Sequence, residues 1–414
     1  MIAARRRTLL IGLLLALVAT AFRFPRLGTP ADVVYDEEFF VPSAIQYLHG
    51  LPPKEITHPP LSKLLIAAGV FCFGADPAGW RVPSALAGVA LGPLLFLLGR
   101  VVLRSERAAL LAALLLVLDG QALVQSRLAT TNAFSVLFEV AAAYLIATAV
   151  LGDELSTSRL MGAAACMGMA FATRWSCIAV LVFLVLALVW ARGKRLLHRR
   201  ELSLLAAAAA VAAGVYVLSY VPWLAQGHSL ADLVQLHRDM VHFHRTFDVT
   251  HPYASRWYTW PWLVRPSLYY FAPAAPGRPW VAAVLAIGNP AVWWLSVPAV
   301  VAVLVAGARR RDPRLLFCPA GFGFAYLWWA LASRLQFAHY FLEALPYACL
   351  CLGYLLDRAW EGRLRMACWS YLALAIALSL FFYPVQTALP IPAGWFYHRL
   401  FGHVYPWRWF PSWY

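Results

Sequence analysis

The chain has 414 residues, is 62% hydrophobic, and carries 34 Lys+Arg against 19 Asp+Glu, for a formal net charge of +15. Soluble domains are roughly half apolar. Here the excess falls in runs of membrane-spanning length, which excludes an ordinary soluble domain and points to an all-α polytopic membrane protein. The basic residues lie mostly in short loops between those runs, as orientation by the positive-inside rule requires, and this argues against nucleic acid as a partner.

In chain order, Arg5-Arg6-Arg7 precede an apolar run that ends near Ala21. Phe22-Arg23-Phe24-Pro25-Arg26 follow without a clear small-residue cleavage site, so the run reads as an uncleaved first span with a cytoplasmic N-terminus. Further apolar segments lie near 62–75, 80–99, 108–124, 133–151, 160–173, 175–191, 203–223, 281–306, 315–332, 337–356 and 366–386. The clusters Arg100/Arg104/Arg107, Arg192/Lys194/Arg195/Arg199/Arg200, Arg309/Arg310/Arg311/Arg314 and Arg358/Arg363/Arg365 are all expected to be cytoplasmic. Parity then requires that 62–75, short against the roughly 20 residues a span needs, not cross. It should lie along the interface or re-enter. About 11 transmembrane helices remain, with the C-terminus outside. A rival topology lets 62–75 cross and fuses 160–191 into one span. It is disfavoured because it moves Arg127 inside and buries Arg174 mid-membrane.

This arrangement brings the polar clusters to one face. They are the first outer loop (23–79, with interfacial helices and Asp36-Glu37, then His58 and Lys63), the 125–132 turn, Arg174, the large outer loop 224–280, Arg334 to His339, and the tail 387–414. The chain reads as a single membrane domain over 1–414. The 224–280 loop is rich in His, Trp, Tyr and Pro. Its aromatic content argues against disorder and suits the membrane interface. The seven Cys have neither zinc nor disulfide-framework spacing and read as apolar fillers.

Taken together and in order, these motifs resemble the dolichyl/polyprenyl-phosphate-mannose–protein mannosyltransferases, family 39 glycosyltransferases with the GT-C fold. Asp36-Glu37 resembles the family's first-loop acidic pair, and His58-Pro59-Pro60-Leu61-Ser62-Lys63 its HPPLGK motif with Ser62 in place of Gly. Asp119-Gly120 through Ser126-Arg127 resembles D-G…S-R, and Arg174-Trp175-Ser176 resembles K-W-S/T with Arg for Lys. His251-Pro252-Tyr253-Ala254-Ser255 with Trp260-Pro261 and Arg265-Pro266 resembles the family's large outer loop. Gly288-Asn289-Pro290 with Trp293-Trp294, Phe337…His339-Tyr340 with Pro346, and Trp409-Phe410-Pro411-Ser412-Trp413 complete the set. Two departures stand out. Asn132 occupies a position where many members carry an acid, so no charge can be carried over there. The 224–280 loop is also too short for the β-trefoil insert of eukaryotic members, so the chain resembles a compact prokaryotic type.

Sugar transfer from a lipid phosphate needs an activated acceptor hydroxyl and a stabilised phosphate leaving group. One carboxylate base and a cationic cradle suffice. Asp36 is the expected base. Glu37 is expected to shape the loop or bind an acceptor group. The alternative is that both cap a helix starting near Phe39. The cradle candidates are Lys63, Arg127, Arg174, Arg265 and Arg334, with His58 or His339 as donors and Asn132 beside them. The alternative for each cation is snorkelling to lipid headgroups. Trp260, with Trp257 and Trp262, would stack on a sugar or prenyl chain, or anchor the interface.

His237, His242, His244 and His251 invite a metal, but no Cys or carboxylate set completes a tetrahedral site, although Asp239 and Asp248 are near. No metal site is assigned. No cofactor is firmly implied, and a divalent cation is left unsupported. The resemblance implies an inverting enzyme at the outer face of the cell membrane, moving mannose from a polyprenyl-phosphate donor to Ser/Thr of exported proteins, with pairing into a dimer left open. Three other readings stand beside it: a lipid or cell-wall glycan acceptor or another sugar, a lipid-linked sugar transporter, and an inactive partner of an active homologue.

Overall fold

The computed structural model describes residues 2–150, 155–246, 249–332, 334–398 and 405–413. The helices are α1 (Ile2–Arg23), α2 (Glu37–Leu48), α3 (Leu61–Phe73), α4 (Pro77–Leu103), α5 (Glu106–Val117), α6 (Gly120–Arg127), α7 (Asn132–Val150), α8 (Thr157–Thr173), α9 (Ile178–Arg192), α10 (Arg199–Leu218), the single turn α11 (Val221–Leu224) and α12 (Leu230–Thr246). Strands β1 (Ser267–Ala272) and β2 (Trp280–Ala286) come next, then α13 (Pro290–Arg310), α14 (Pro313–Leu327), α15 (Leu345–Trp360) and α16 (Arg365–Gln386), and finally β3 (Ile391–Pro392) and the turn α17 (Ala393–Phe396). Among the described residues six helices are long and apolar enough to cross a membrane, or seven if the bent pair α5–α6 is one span. At 13 residues, α3 is only about 20 Å long, short of a hydrocarbon core of about 30 Å. It packs between α2 and α4.

Helix starts follow from local chemistry. Asp76, Ser105, Asp119, Asn289 and Asp312 each cap a helix by accepting a backbone N–H of its first turn, and α4, α13 and α14 begin with Pro. Asp119 does more. It stands at the 58° bend between α5 and α6. One oxygen caps α6, and the other accepts from Asn289 N at 2.9 Å and Trp293 Nε1 at 2.8 Å. The D-G and G-N-P…W-W motifs therefore hold one joint. Gly120 is required there, since a Cβ would sit 1.8 Å from Gln386 Nε2.

The structure departs from an all-helical chain at the long loop. β1 and β2 form an antiparallel hairpin around Gly277, whose φ is +77, and β3 from the tail pairs with β2. Trp413, fully buried, donates to Leu263 O at 2.7 Å and ties the tail to the same loop. Short β-branched and aromatic runs do not stand out against an apolar background, which is why this sheet was not read from sequence.

Close helix packing rests on small residues, as in membranes generally. A Cβ on Gly353 of α15 would meet Ala108 O at 2.4 Å and Ala112 Cβ at 2.8 Å on α5, whereas at Gly214 of α10 nothing lies within 4 Å. Gly353→Leu is therefore expected to destabilise the purified protein by about 1–3 kcal/mol, seen as a lowered unfolding temperature in detergent, while Gly214→Leu leaves that temperature unchanged. Equal effects would contradict this packing.

Candidate active site

The site is built on two adjacent carboxylates that part ways. Tyr35 has φ +54, a strained left-handed conformation for a bulky residue, and it turns the chain into α2. Glu37 then points inward. Fully buried, it receives Arg81 Nε at 2.8 Å and Nη2 at 2.7 Å, plus the N–H groups of Val34 and Ala129 at 3.0 and 2.9 Å. Asp36 is half-buried and points into a cavity of about 420 Å³. It sits at the N-cap of α2 without making a cap bond, and its carboxylate has no hydrogen bond or ion pair among the described residues. Burial raises its pKa to about 7, Arg174 opposes the rise, and Glu55 adds to it.

The second component is the loop 55–63. Its hub is Glu55, which accepts from Lys63 Nζ at 2.7 Å, from Thr57 N and His58 N, and meets His58 Nδ1 at 3.1 Å. Lys63 also donates to Glu55 O and His58 O. Burial would raise the Glu55 carboxyl, but Lys63 and His58 outweigh it and hold it well below the usual carboxylate range. Above this loop, His244 of α12 meets Thr57 O through Nε2 at 2.9 Å and accepts from Arg334 Nη1 through Nδ1 at 2.6 Å. Its pKa falls to about 4 through burial, His58 and Arg334, so this imidazole is neutral and joins two elements.

The third component is Arg174, at the C-terminal end of α8. Its Nη1 donates to Asn132 Oδ1 and lies 3.7 Å from Glu343 Oε1, and its guanidinium sits 4.5 Å above the Tyr340 ring. Asn132, Gln125, Tyr269 and His339 continue this line of hydrogen bonds. Tyr269 reaches them because β1 bulges between Leu268 and Tyr270, and its ring stacks on Tyr35 at 4.0 Å. Burial, then Arg174 and Arg334, push His339 well below the ordinary histidine range.

Arg174, Arg334, His58 and Tyr340 line both the Asp36 cavity and a neighbouring cavity of about 500 Å³, whose other walls include Phe171, Trp175, Trp328 and Trp329. A larger cavity of about 600 Å³ between α7, α9 and α14 has Arg314 as its one charged lining residue and offers no comparable chemistry.

Of the residues expected from sequence, Asp36, His58, Asn132, Arg174, Arg334 and His339 line the Asp36 cavity. The others lie elsewhere. Glu37 is locked to Arg81. Lys63, 1% exposed, closes the loop beneath. Arg127 donates to the carbonyls of Arg23, Pro25 and Arg26, clamping the end of α1. Trp260 is buried against Tyr326, Trp329 and Tyr340, supporting the cavity wall from behind. Arg265 is exposed and lines neither cavity. His242 and His244 lie on a helix, where a spacing of two puts them on different faces. Asp248 lies outside the described residues. Among the described residues, no three His, Cys, Asp or Glu side chains form a metal-sized cluster. The sequence reading missed Glu55, Gln125, Tyr269 and Glu343. Only Glu55 left a signal, since a buried Lys63 demands a carboxylate partner within reach.

Comparison with known proteins places this geometry. Residues 57–220 match the family described as dolichyl-phosphate-mannose-protein mannosyltransferase, and residues 229–413 match the C-terminal four-TMM region of protein-O-mannosyltransferase. A polyprenol-phosphate-mannose–protein mannosyltransferase of Mycolicibacterium smegmatis is 28% identical over 96% of this chain and 91% of its own length. One of Mycobacterium tuberculosis is 29% identical, over 91% and 88%. The S. cerevisiae protein O-mannosyltransferase Pmt1-Pmt2 complex bound to the sugar donor superposes with a TM-score of 0.79 at 14% identity, over 96% of this chain and 93% of that one. ArnT from Cupriavidus metallidurans bound to undecaprenyl phosphate superposes at 0.57 and 15% identity, over 92% and 70%. These superpositions establish the shared GT-C fold.

The two carboxylates are separable by experiment. Glu37→Gln leaves Arg81 buried without its charge partner and is expected to destabilise the protein by about 3–5 kcal/mol. Asp36→Asn, which breaks no bond, is expected to unfold at the wild-type temperature in detergent. The reverse order of stabilities would overturn the assignment.

Proposed function

The chain belongs to the protein O-mannosyltransferase family, and from that premise we propose that this enzyme moves mannose, with inversion, from a polyprenyl-phosphate donor to Ser or Thr hydroxyls of exported proteins, with Asp36 as general base. The observation that carries this reading is an unengaged carboxylate with a pKa near 7, facing a cavity walled by guanidinium and imidazole groups.

In the reaction, Asp36 accepts the proton of the acceptor hydroxyl as its oxygen attacks the anomeric carbon. The bond from that carbon to the phosphate oxygen breaks, and its electron pair leaves with the phosphate. Charge grows on the phosphate, so preorganised donors aimed at it lower the barrier. Arg174, Arg334 and His58 line both cavities. The phosphate sits at that junction, the sugar and acceptor lie on the Asp36 side, and the first prenyl units lie against the Trp-lined side. Glu37, Lys63 and Arg127 hold the loops that carry the site. Trp260 backs the wall, and Arg265 takes no part in the transfer.

The protein spans the plasma membrane eleven times, counting α1, α8, α14 and α15 beside the seven spans that qualify by length and composition, with the site on the extracytoplasmic side. Charge placement supports this. Arg7 pairs with Glu106, Arg107 with Asp357 and Glu361, and Arg310 reaches Tyr354, all at the helix ends opposite the site.

Two measurements test the reading. Membranes containing the wild type, given radiolabelled polyprenyl-phosphate mannose, are expected to put label into alkali-releasable protein linkages. Asp36→Asn is expected to lower this at least about 10²-fold. Label entering lipid instead would move the acceptor to another class. Because a base works only once deprotonated, kcat/KM is expected to rise with pH through about 7 and then level. A rate that falls across that range would contradict Asp36 as base.

A further inference from the structure

Hydrogen-bond direction along the line from Arg174 to His339 is fixed at one end. Arginine only donates. Its bond to Asn132 therefore identifies the amide oxygen, and Asn132 Nδ2 is left to donate to Gln125 Oε1 at 2.8 Å. Thr130 Oγ1 lies 3.4 Å from the same oxygen. Gln125 must then present Nε2 to the Tyr269 hydroxyl oxygen at 2.7 Å. The Tyr269 proton is free to go to His339 Nδ1 at 3.0 Å. A neutral imidazole that accepts at Nδ1 carries its proton on Nε2. That nitrogen has no hydrogen-bond partner among the described residues, and His339 lines the Asp36 cavity.

We infer that Asn132, acting through Gln125 and Tyr269, sets the tautomer of His339 and thereby makes its Nε2 a hydrogen-bond donor to an oxygen of the lipid-linked sugar phosphate. The ligand rests on the proposed function, whereas the tautomer does not. Asn132, Gln125 and Tyr269 are positioning residues in this scheme. Changing one atom of the chain reverses its direction. With Asp at 132, held ionised by Arg174, Gln125 turns its amide and offers Oε1 to Tyr269. Tyr269 then donates to Gln125 and accepts from His339 Nδ1–H. The Nε2 lone pair now faces the phosphate, which repels it. Gln125→Glu, at a pH where its carboxyl is ionised and only accepts, makes the same reversal one link further on, without touching the partner of Arg174.

The direct test is nitrogen-15 NMR of histidine-labelled protein in lipid bilayers, with the His339 signals assigned by their loss in His339→Gln. The unprotonated nitrogen is expected to be Nδ1 in the wild type and Nε2 in both Asn132→Asp and Gln125→Glu. In a Tyr269→Phe background, neither substitution should alter the His339 spectrum. An unprotonated Nε2 in the wild type, or the same tautomer in all three proteins, would overturn the inference. In transfer assays Asn132→Asp is expected to raise KM for polyprenyl-phosphate mannose about 10-fold, as for one lost hydrogen bond, with a smaller change in kcat. In the His339→Gln background, whose amide can donate whatever lies behind it, that increase should shrink to about twofold. An undiminished increase would place the effect on Arg174 alone. Variants that switch tautomer as described by NMR, beside a wild type that transfers no mannose, would leave the tautomer relay standing and sink the proposed function.

Discussion

Burying the Arg174 guanidinium is the constraint around which the site is arranged. A desolvated cation is tolerated only when paired and hydrogen-bonded. Arg174 meets that condition with Glu343, Asn132, the Tyr340 ring face and a place at the C-terminal end of α8, where the helix dipole favours positive charge. Asn132 comes from α7, and Glu343 and Tyr340 from the turn 338–343, so satisfying one side chain draws α7, α8 and the 334–343 segment together. The polar wall this creates separates two cavities, one with a carboxylate and one with tryptophans. A cation at such a junction can serve a phosphate that joins a sugar to a hydrocarbon chain.

Asp36 and Glu37 show how environment divides labour between neighbouring identical groups. Glu37 takes four donors and becomes part of the frame. Asp36 takes none and is left with burial, which raises its proton affinity into the range where a base is useful. The frame is what makes the free group possible, because the Glu37–Arg81 pair holds the strained turn at Tyr35 that aims Asp36 into the cavity. Glu55 has the same framing role for the second loop, where Lys63 and His58 converge on it.

The sequence revealed the membrane class, the motif order and six residues of the cavity, because those signals are local: apolar runs, basic loops and short motifs. It did not separate site residues from frame residues. Glu37 and Asp36 are adjacent in the chain, and only Arg81, 44 positions away, distinguishes them. Arg127 lies in a matched motif as Arg174 does, yet its donors are spent on carbonyls more than a hundred positions away. Gln125 and Tyr269 carried no signal at all. One begins the 125–132 turn, where only Arg127 and Asn132 were singled out, and the other owes its direction to a β-bulge inside a loop that read as irregular. The parity argument, which used only where charges can sit, expected these clusters on one face, and Asp36, His58, Asn132, Arg174, Arg334 and His339 line one cavity.

The central claim is that the wall shared by the two cavities holds the donor phosphate. A structure of this chain determined with polyprenyl phosphate bound tests it most directly. The account predicts the phosphate within hydrogen-bonding reach of Arg174 and Arg334, with the prenyl chain leaving along Trp175 and Trp329 and the Asp36 side open for sugar and acceptor. A phosphate held instead at Arg127 or Arg265, or a prenyl chain filling the Asp36 cavity, would contradict it.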